Sequence, residues 1–356
     1  MGEMTSYERM RCMYEHSEAD RVPITDDPWH STIERWQREG MPADVGFQEY
    51  FGLDKFAAIH VDNSPRYPVQ LLEETDAYTI TTSSWGTTMR NWKHAGGVPE
   101  FLHHTIVDPD SWAQAKARMT PSNDRIPWEY LRANYKRWRD EGYWIRGSLW
   151  FGFDVTHSWT VGTERLLVAL AEQPEWCVDM FSHFLDLNIA LLDAVWDAGY
   201  HFDEATWPDD MGYKGTQFFS LRMYRELLKP VHKRAIDWAH AKGVKTRLHS
   251  CGNVNRFVPE LIEIGLDMLN PLEVKAGMDP VALKQQYGDR LAFHGGLNAV
   301  LYTEPERLWE EMRRVVPIMK ANGGYIISSD HSVPDSVSLE TFRTFVELGK
   351  QSGSYG

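Results

Sequence analysis

The stretch Thr246-Arg-Leu-His-Ser-Cys-Gly-Asn-Val254 sets an imidazole, His249, two residues before a thiol, Cys251, with Gly252 directly behind. Zinc prefers these two donor types, and a catalytic zinc takes three protein ligands and keeps one position exchangeable. In extended backbone, residues i and i+2 share a face, so both side chains can reach one ion. A buried Cys beside a capping His gives the same pair, so the reading requires a third ligand and a pocket. His331 is the expected third ligand, with Asp330, Glu204 and His294 in reserve. Arg146 falls in the same layer of residues.

The elements that must position these groups alternate along the chain. Short β-rich runs at 21–25, 56–62, 143–151, 202–210, 244–250, 267–273, 291–297 and 324–330 read as strands. Helical patterns separate them. One opens with Pro174 and ends at Gly199, and one is capped by Ser220 and interrupted by Pro230 before Gly243. A third opens with Thr303 as cap and Glu306 three residues on. Alternation repeated toward eight predicts an α/β chain folded as a (β/α)8 TIM barrel, one elaborated domain over residues 1–356. A long insertion, 63–142, follows the second strand, and within it TITTSSWGTTMRNWKH reads as a hairpin that covers the barrel mouth as a lid.

In such a barrel the active site lies at the C-terminal strand ends. The fourth strand ends in Asp209 and Asp210, the fifth in His249 and Cys251, the seventh in His294 and Asn298, and the eighth in Asp330 and His331. Any one carboxylate here can be a helix cap, but capping explains such convergence poorly. Barrel strands five and eight can both reach a mouth only about 15 Å wide. In WPDDMGYKG, Pro208 takes the chain out of the sheet and the glycines turn it back. Neighbouring residues on an extended segment point oppositely, so one aspartate faces the pocket and the other braces the loop. Asp210 shares parity with Glu204 and is expected in the pocket. The sequence therefore predicts Asp210 and Glu204 as catalytic groups, with Arg146, Trp150, Tyr213, His294 and Asn298 binding the substrate.

Composition narrows the function classes. The chain has 356 residues, 42% hydrophobic and 25% charged, with a formal net charge of −14. That balance disfavours nucleic acid and anionic membranes, and a polyanionic substrate too unless a local basic cluster overrides the field. No apolar run is long enough to span a bilayer and the N-terminus is too polar for a secretory signal. MGEMTS fits a loose N-myristoylation pattern, which short sequences match often by chance. Three widely spaced cysteines argue against a disulfide framework, so a cytoplasmic setting is expected. Fifteen tryptophans supply core packing and material for an aromatic pocket wall.

LHSCGNV, IGLDMLNPLE, YGDRLAFHGGLN and GGYIISSDHSVPDSVSLE, in that order, resemble the uroporphyrinogen decarboxylase-like superfamily across roughly residues 140–350. The resemblance implies a (β/α)8 fold and two kinds of activity, decarboxylation and zinc-dependent methyl transfer involving a corrinoid (cobalamin). In the methyltransferases a His-x-Cys motif and a Cys after the last strand bind zinc. His249 and Cys251 match the first motif, and His331 stands where the last Cys is expected. The decarboxylases carry an Arg-rich loop after the first strand for their polycarboxylate substrate. Here that stretch holds Asp26 and Asp27, and like charge in a desolvated site costs several kcal/mol.

Three functions follow from these readings. The first is a zinc-dependent methyltransferase acting between a small-molecule methyl donor or acceptor and a corrinoid, free or carried by a partner protein. The alternative is a decarboxylase or lyase of the same superfamily without catalytic metal. A ligand-binding barrel without catalysis fits the polar strand ends least.

Overall fold

The computed structural model describes residues 3–93 and 98–356. The acylation pattern begins on residues 1–2, and His94, the last residue of the expected hairpin, also lies outside the described residues.

Seven parallel strands form one sheet: β1 (Phe56–His60), β6 (Trp144–Ser148), β7 (Glu204–Pro208), β10 (Lys245–His249), β11 (Met268–Asn270), β12 (Ala292–His294) and β13 (Tyr325–Ile326), adjacent in that order. Between β1 and β6, β2 (Leu71–Glu74), β3 (Tyr78–Thr82), β4 (Thr87–Trp92) and β5 (Glu100–His104) make a separate antiparallel sheet. After β7, β8 (Gly212–Tyr213) and β9 (Thr216–Gln217) form a small hairpin. The expected hairpin is therefore β3–β4, widened by a strand on each side. Among the described residues no helix is long and apolar enough to cross a membrane.

The expected first strand, 21–25, makes only isolated bridges. Pro23 has no N–H to give, so a continuous ladder cannot form there. Instead Ile24 bridges Ile327 in parallel, Thr25 N donates to Ile327 O at 3.1 Å, and Asp54 N donates to Ile24 O at 2.9 Å. The segment thereby joins the end of β13 to the approach of β1. The Asp54 carboxylate accepts Ile24 N at 2.8 Å, serving a donor that a regular neighbour would have taken.

Period-two alternation gives the sheet two faces. The outer face packs on the helices in the main core, which includes Pro174–Asp197. On the other face Trp144, Met268, Ala292 and Ile326 form a second cluster with Met10, Met13 and Tyr14 of the N-terminal helix Ser6–Tyr14. Thr5 and Glu8 close that helix's first turn as a reciprocal capping box. Pro230 distorts its helix rather than ending it: a π-helical turn, Tyr224–Leu228, precedes Lys229–Ala241. The missing N–H is absorbed by the wider turn. The Thr303 cap does not form. Glu304 is the N-cap of helix Pro305–Lys320, while the Thr303 hydroxyl donates back to Val300 O at 3.0 Å, because a 3-10 turn over Ala299–Thr303 runs directly into the helix.

Candidate metal centre and active-site cavity

Registry along β7, β10 and β11 builds the site. His249 pairs with Pro208 on one side and Asn270 on the other, so the residues just past Pro208 run beside the His-x-Cys loop. Two glycines make the approach possible. A Cβ on Gly252, whose φ is +77°, would lie 2.2 Å from the Gly212 backbone, and one on Gly212 would lie 2.5 Å from Cys251 O. Only two bare backbones can meet this closely. The result is that Cys251 N donates to Asp210 Oδ1 at 2.8 Å.

Asp210, His249 and Cys251 each offer one donor atom, all within 4.8 Å of one another. Cys251 Sγ lies 3.3 Å from His249 Nε2, which is 3.8 Å from Asp210 Oδ1. His249 Nδ1 contacts Asn270 Oδ1 at 2.6 Å, and Asn270 Nδ2 donates to His294 O at 3.2 Å. With the amide so oriented, Nδ1 carries the imidazole proton and Nε2 keeps its lone pair for the cluster. Burial first, then the Asp210 and Glu273 carboxylates, push the Cys251 thiol well above its ordinary range. A divalent cation inverts that balance, since it favours the thiolate outright. One sulfur, one nitrogen and one oxygen within 4.8 Å of one another suit zinc with its fourth position open.

His331, expected as third ligand, is not part of this cluster. It lines the neighbouring cavity, its ring 6.4 Å from that of Trp29. The third donor atom near His249 and Cys251 comes instead from the loop after β7, which the glycine contact draws in. Asp210, expected as a catalytic group in the pocket, offers a carboxylate oxygen to this cluster. Its neighbour Asp209 is fully buried on the opposite side, accepting from His232 Nε2 at 2.8 Å and Asp154 N at 2.7 Å.

The cavity has a volume of about 860 Å³ and reaches from His249 down between the strands. Trp150 lines it, packed edge-on against Trp85 and Trp159. Trp85 and Ser84 come from the β3–β4 turn, so the insertion contributes to the wall. Arg146 and His294 also line it. Tyr213 and Asn298 do not. Tyr213 stands 54% exposed on β8, and Asn298 caps the Ala299–Thr303 turn by accepting Val300 N at 3.1 Å.

Glu204, expected as catalytic, is entirely buried below the cavity. Its Oε2 accepts from Tyr14 Oη at 2.8 Å and Trp144 Nε1 at 2.9 Å. Arg247 Nε and Arg146 Nε lie 2.9 and 3.1 Å from Oε1. Both are close enough for charge pairing yet out of line for hydrogen bonding, which leaves Oε1 without a hydrogen-bond partner. Asp330, held in reserve as a ligand, accepts Val274 N and Ala299 N, each at 2.7 Å, and braces two loops.

Sequence reasoning missed Arg247 and Asn270, and read Asp26 only as a like charge that repels a polycarboxylate. Arg247 was legible, since it precedes His249 by two and must share its face. Asn270 needed the β10–β11 register. Asp26 lines the cavity and accepts from Ser329 N at 3.0 Å and Ser329 Oγ at 2.7 Å. Burial outweighs those contacts and raises its carboxyl to about 7.

The family model of uroporphyrinogen decarboxylase (URO-D) matches residues 156–352. A uroporphyrinogen decarboxylase of Saccharophagus degradans is 23% identical over 198 residues, covering 54% of this chain and 53% of that protein. One from Protochlamydia amoebophila is 26% identical over 189 residues, covering 50% of this chain and 46% of its own length. The chain thus spans about half the length of the curated relatives it matches. A solved methyltransferase from Methanosarcina mazei superposes with a TM-score of 0.68 at 16% identity, over 98% of this chain and 99% of that one, and shares the fold. Since that family model matches more than half of its residues, the chain belongs to the uroporphyrinogen decarboxylase family.

Proposed function

We propose that the protein is a zinc-dependent methyltransferase that moves a methyl group between a small substrate and a corrinoid, on a closed (β/α)8 barrel with the 63–142 insertion as its lid. The observation that carries this reading is the Asp210–His249–Cys251 donor set, of which His249 also lines the cavity. These three residues would hold the zinc, and Asn270 fixes the His249 ring for it. When bound, the ion supplies Lewis acidity to a substrate thiol, ether or alcohol. Trp85 and Trp150, the latter backed by Trp159, keep water from the substrate, and His294 and Arg146 hold it from below. A cavity of about 860 Å³ suits one small molecule, within the roughly 300–1,000 Å³ typical of such sites. That assigns the corrinoid, free or on a partner protein, to the mouth.

The likeness of fold to the Methanosarcina methyltransferase supports this reading. The metal-free decarboxylase alternative draws on the two curated relatives. One experiment separates them. Purified protein should carry one zinc per chain, Cys251→Ala should lose it, and demethylation of methylcobalamin in the presence of small thiols should require it. Full metal content in Cys251→Ala, or methyl transfer unaffected by metal removal, overturns the proposal.

A further inference from the structure

Behind the loop that delivers Asp210, three buried side chains are joined in a row that the proposed chemistry does not use. His232, two residues after Pro230 on helix Lys229–Ala241, is wholly buried, as are Asp209 and Tyr224. Its Nε2 donates to Asp209 Oδ2 at 2.8 Å. Its Nδ1 lies 3.2 Å from the hydroxyl of Tyr224, in the π-helical turn ahead of that helix. The other Asp209 oxygen accepts Asp154 N at 2.7 Å. Gly152, with φ +94°, leaves the room, since a Cβ there would lie 2.3 Å from Asp209 Oδ2. One carboxylate thus joins the loop after β7 to a helix on one side and to the loop after β6 on the other.

An apolar trio would fill the same space. Replacing a buried polar pair by well-packed hydrophobic residues is often neutral or stabilising, so stability explains such a row poorly. What the row supplies is direction. Asp209 and Asp210 are neighbours whose side chains leave the chain on opposite sides, towards His232 and towards Cys251 N. Asp209 N donates to His249 O at 2.8 Å and Met211 N to Ser250 Oγ at 3.0 Å, which sets the height of the loop along β10. Its roll about its own axis is set by where the Asp209 side chain is held, and that roll aims Asp210. Ligand bonds to zinc are about 2.0–2.3 Å long, and a site whose supporting residues are about 1 Å loose fails.

We propose that His232 is a positioning residue of the metal centre: acting through Asp209, it turns the Asp210 carboxylate toward His249 and Cys251. The donor set is then braced from both flanks of β10, His249 by Asn270 on β11 and Asp210 by His232 from beyond β7. This role rests on the reading of Asp210, His249 and Cys251 as a metal site, so its readouts are metal affinity and coordination geometry in place of turnover.

The test compares two amides at position 232. In His232→Gln the amide reaches the Nε2 position and still donates to Asp209, whereas in His232→Asn it stops at the level of Nδ1 and falls short. Zinc, in competition with a chromophoric chelator, and cobalt(II), whose d–d absorption reports coordination geometry, are titrated into chelator-treated protein. His232→Asn should bind zinc about 10–100-fold more weakly, the usual scale for losing a group that orients a ligand. Its cobalt bands should move toward those of Asp210→Ala, and His232→Gln should stay near the parent in both. Glu260→Gln, which releases Arg225 and Lys229 on the same turn and helix, loosens that helix alone and should change neither. If the Asn variant does not fold, Tyr224→Phe frees the far edge of the ring and should move the bands the same way by a smaller step. Parent-like affinity and bands in His232→Asn, or in Tyr224→Phe where it stands in, overturn the proposal. So does a Gln variant as weak as the Asn variant, or an equal loss in Glu260→Gln. A parent chain that binds neither metal removes the metal centre itself, whereas a parent that binds one equivalent beside an unaffected Asn variant removes only the role of His232.

Discussion

Replacing Glu204 by Gln tests whether this carboxylate supports the cavity floor or takes part in chemistry. The side chain is fully buried and surrounded by donors alone: Tyr14 Oη, Trp144 Nε1 and the two guanidinium groups. A Gln amide has one oxygen and one NH2, so in either orientation its NH2 confronts donors. If the NH2 faces the arginines, two cations lose their counter-charge. If it faces Trp144, two N–H groups collide and the arginines still lack an anion. Removing one partner of a buried ion pair costs about 3–5 kcal/mol, a large part of the ~5–15 kcal/mol typical of a folded domain. Urea unfolding should show a midpoint shifted to lower denaturant with an unchanged slope, the mark of lost stability. Turnover per folded molecule should stay within a few-fold. A loss under ~1 kcal/mol together with abolished turnover would refute the argument and return Glu204 to the catalytic role its shared parity with Asp210 suggested.

Further outcomes follow from the metal centre and from Asp26. Asn270→Ala removes the acceptor that orients His249 and should weaken zinc affinity by about 10–100-fold, read by competition with a chromophoric chelator; unchanged affinity would show that the ring is held some other way. His331→Ala should retain a full equivalent of zinc by elemental analysis, and loss of the metal would mean that His331 reaches the ion after all. Asp26, raised from 3.8 to about 7 by burial, binds more protons folded than unfolded across that interval. Its contribution to stability is therefore complete below about pH 4, falls as pH rises toward 7 and is level above. Asp26→Asn should flatten that decline, so its stability relative to the parent rises by a few kcal/mol between pH 4 and pH 8. A pH-independent difference in urea unfolding contradicts the burial argument.

Some of this protein was legible without coordinates because its signals are local and periodic. Strand–helix alternation reports itself residue by residue, and all seven strands of the parallel sheet fall inside segments read from the sequence. The same parity rule separated Asp210 from Asp209, which the structure sets on opposite sides. Pro23 already carried the warning that segment 21–25 could not run as an ordinary strand. What no local pattern contains is register between distant strands and the distance between two loops. The pairing of His249 with Asn270 decides which side chain orients the imidazole. The meeting of Gly212 and Gly252 brings Asp210, not His331, to the thiol. Glu204 looked like a catalytic acid because its residue type and strand were right. Only packing reveals that Tyr14, Trp144 and two arginines enclose it, because burial is a property of everything around a residue and not of the residue itself.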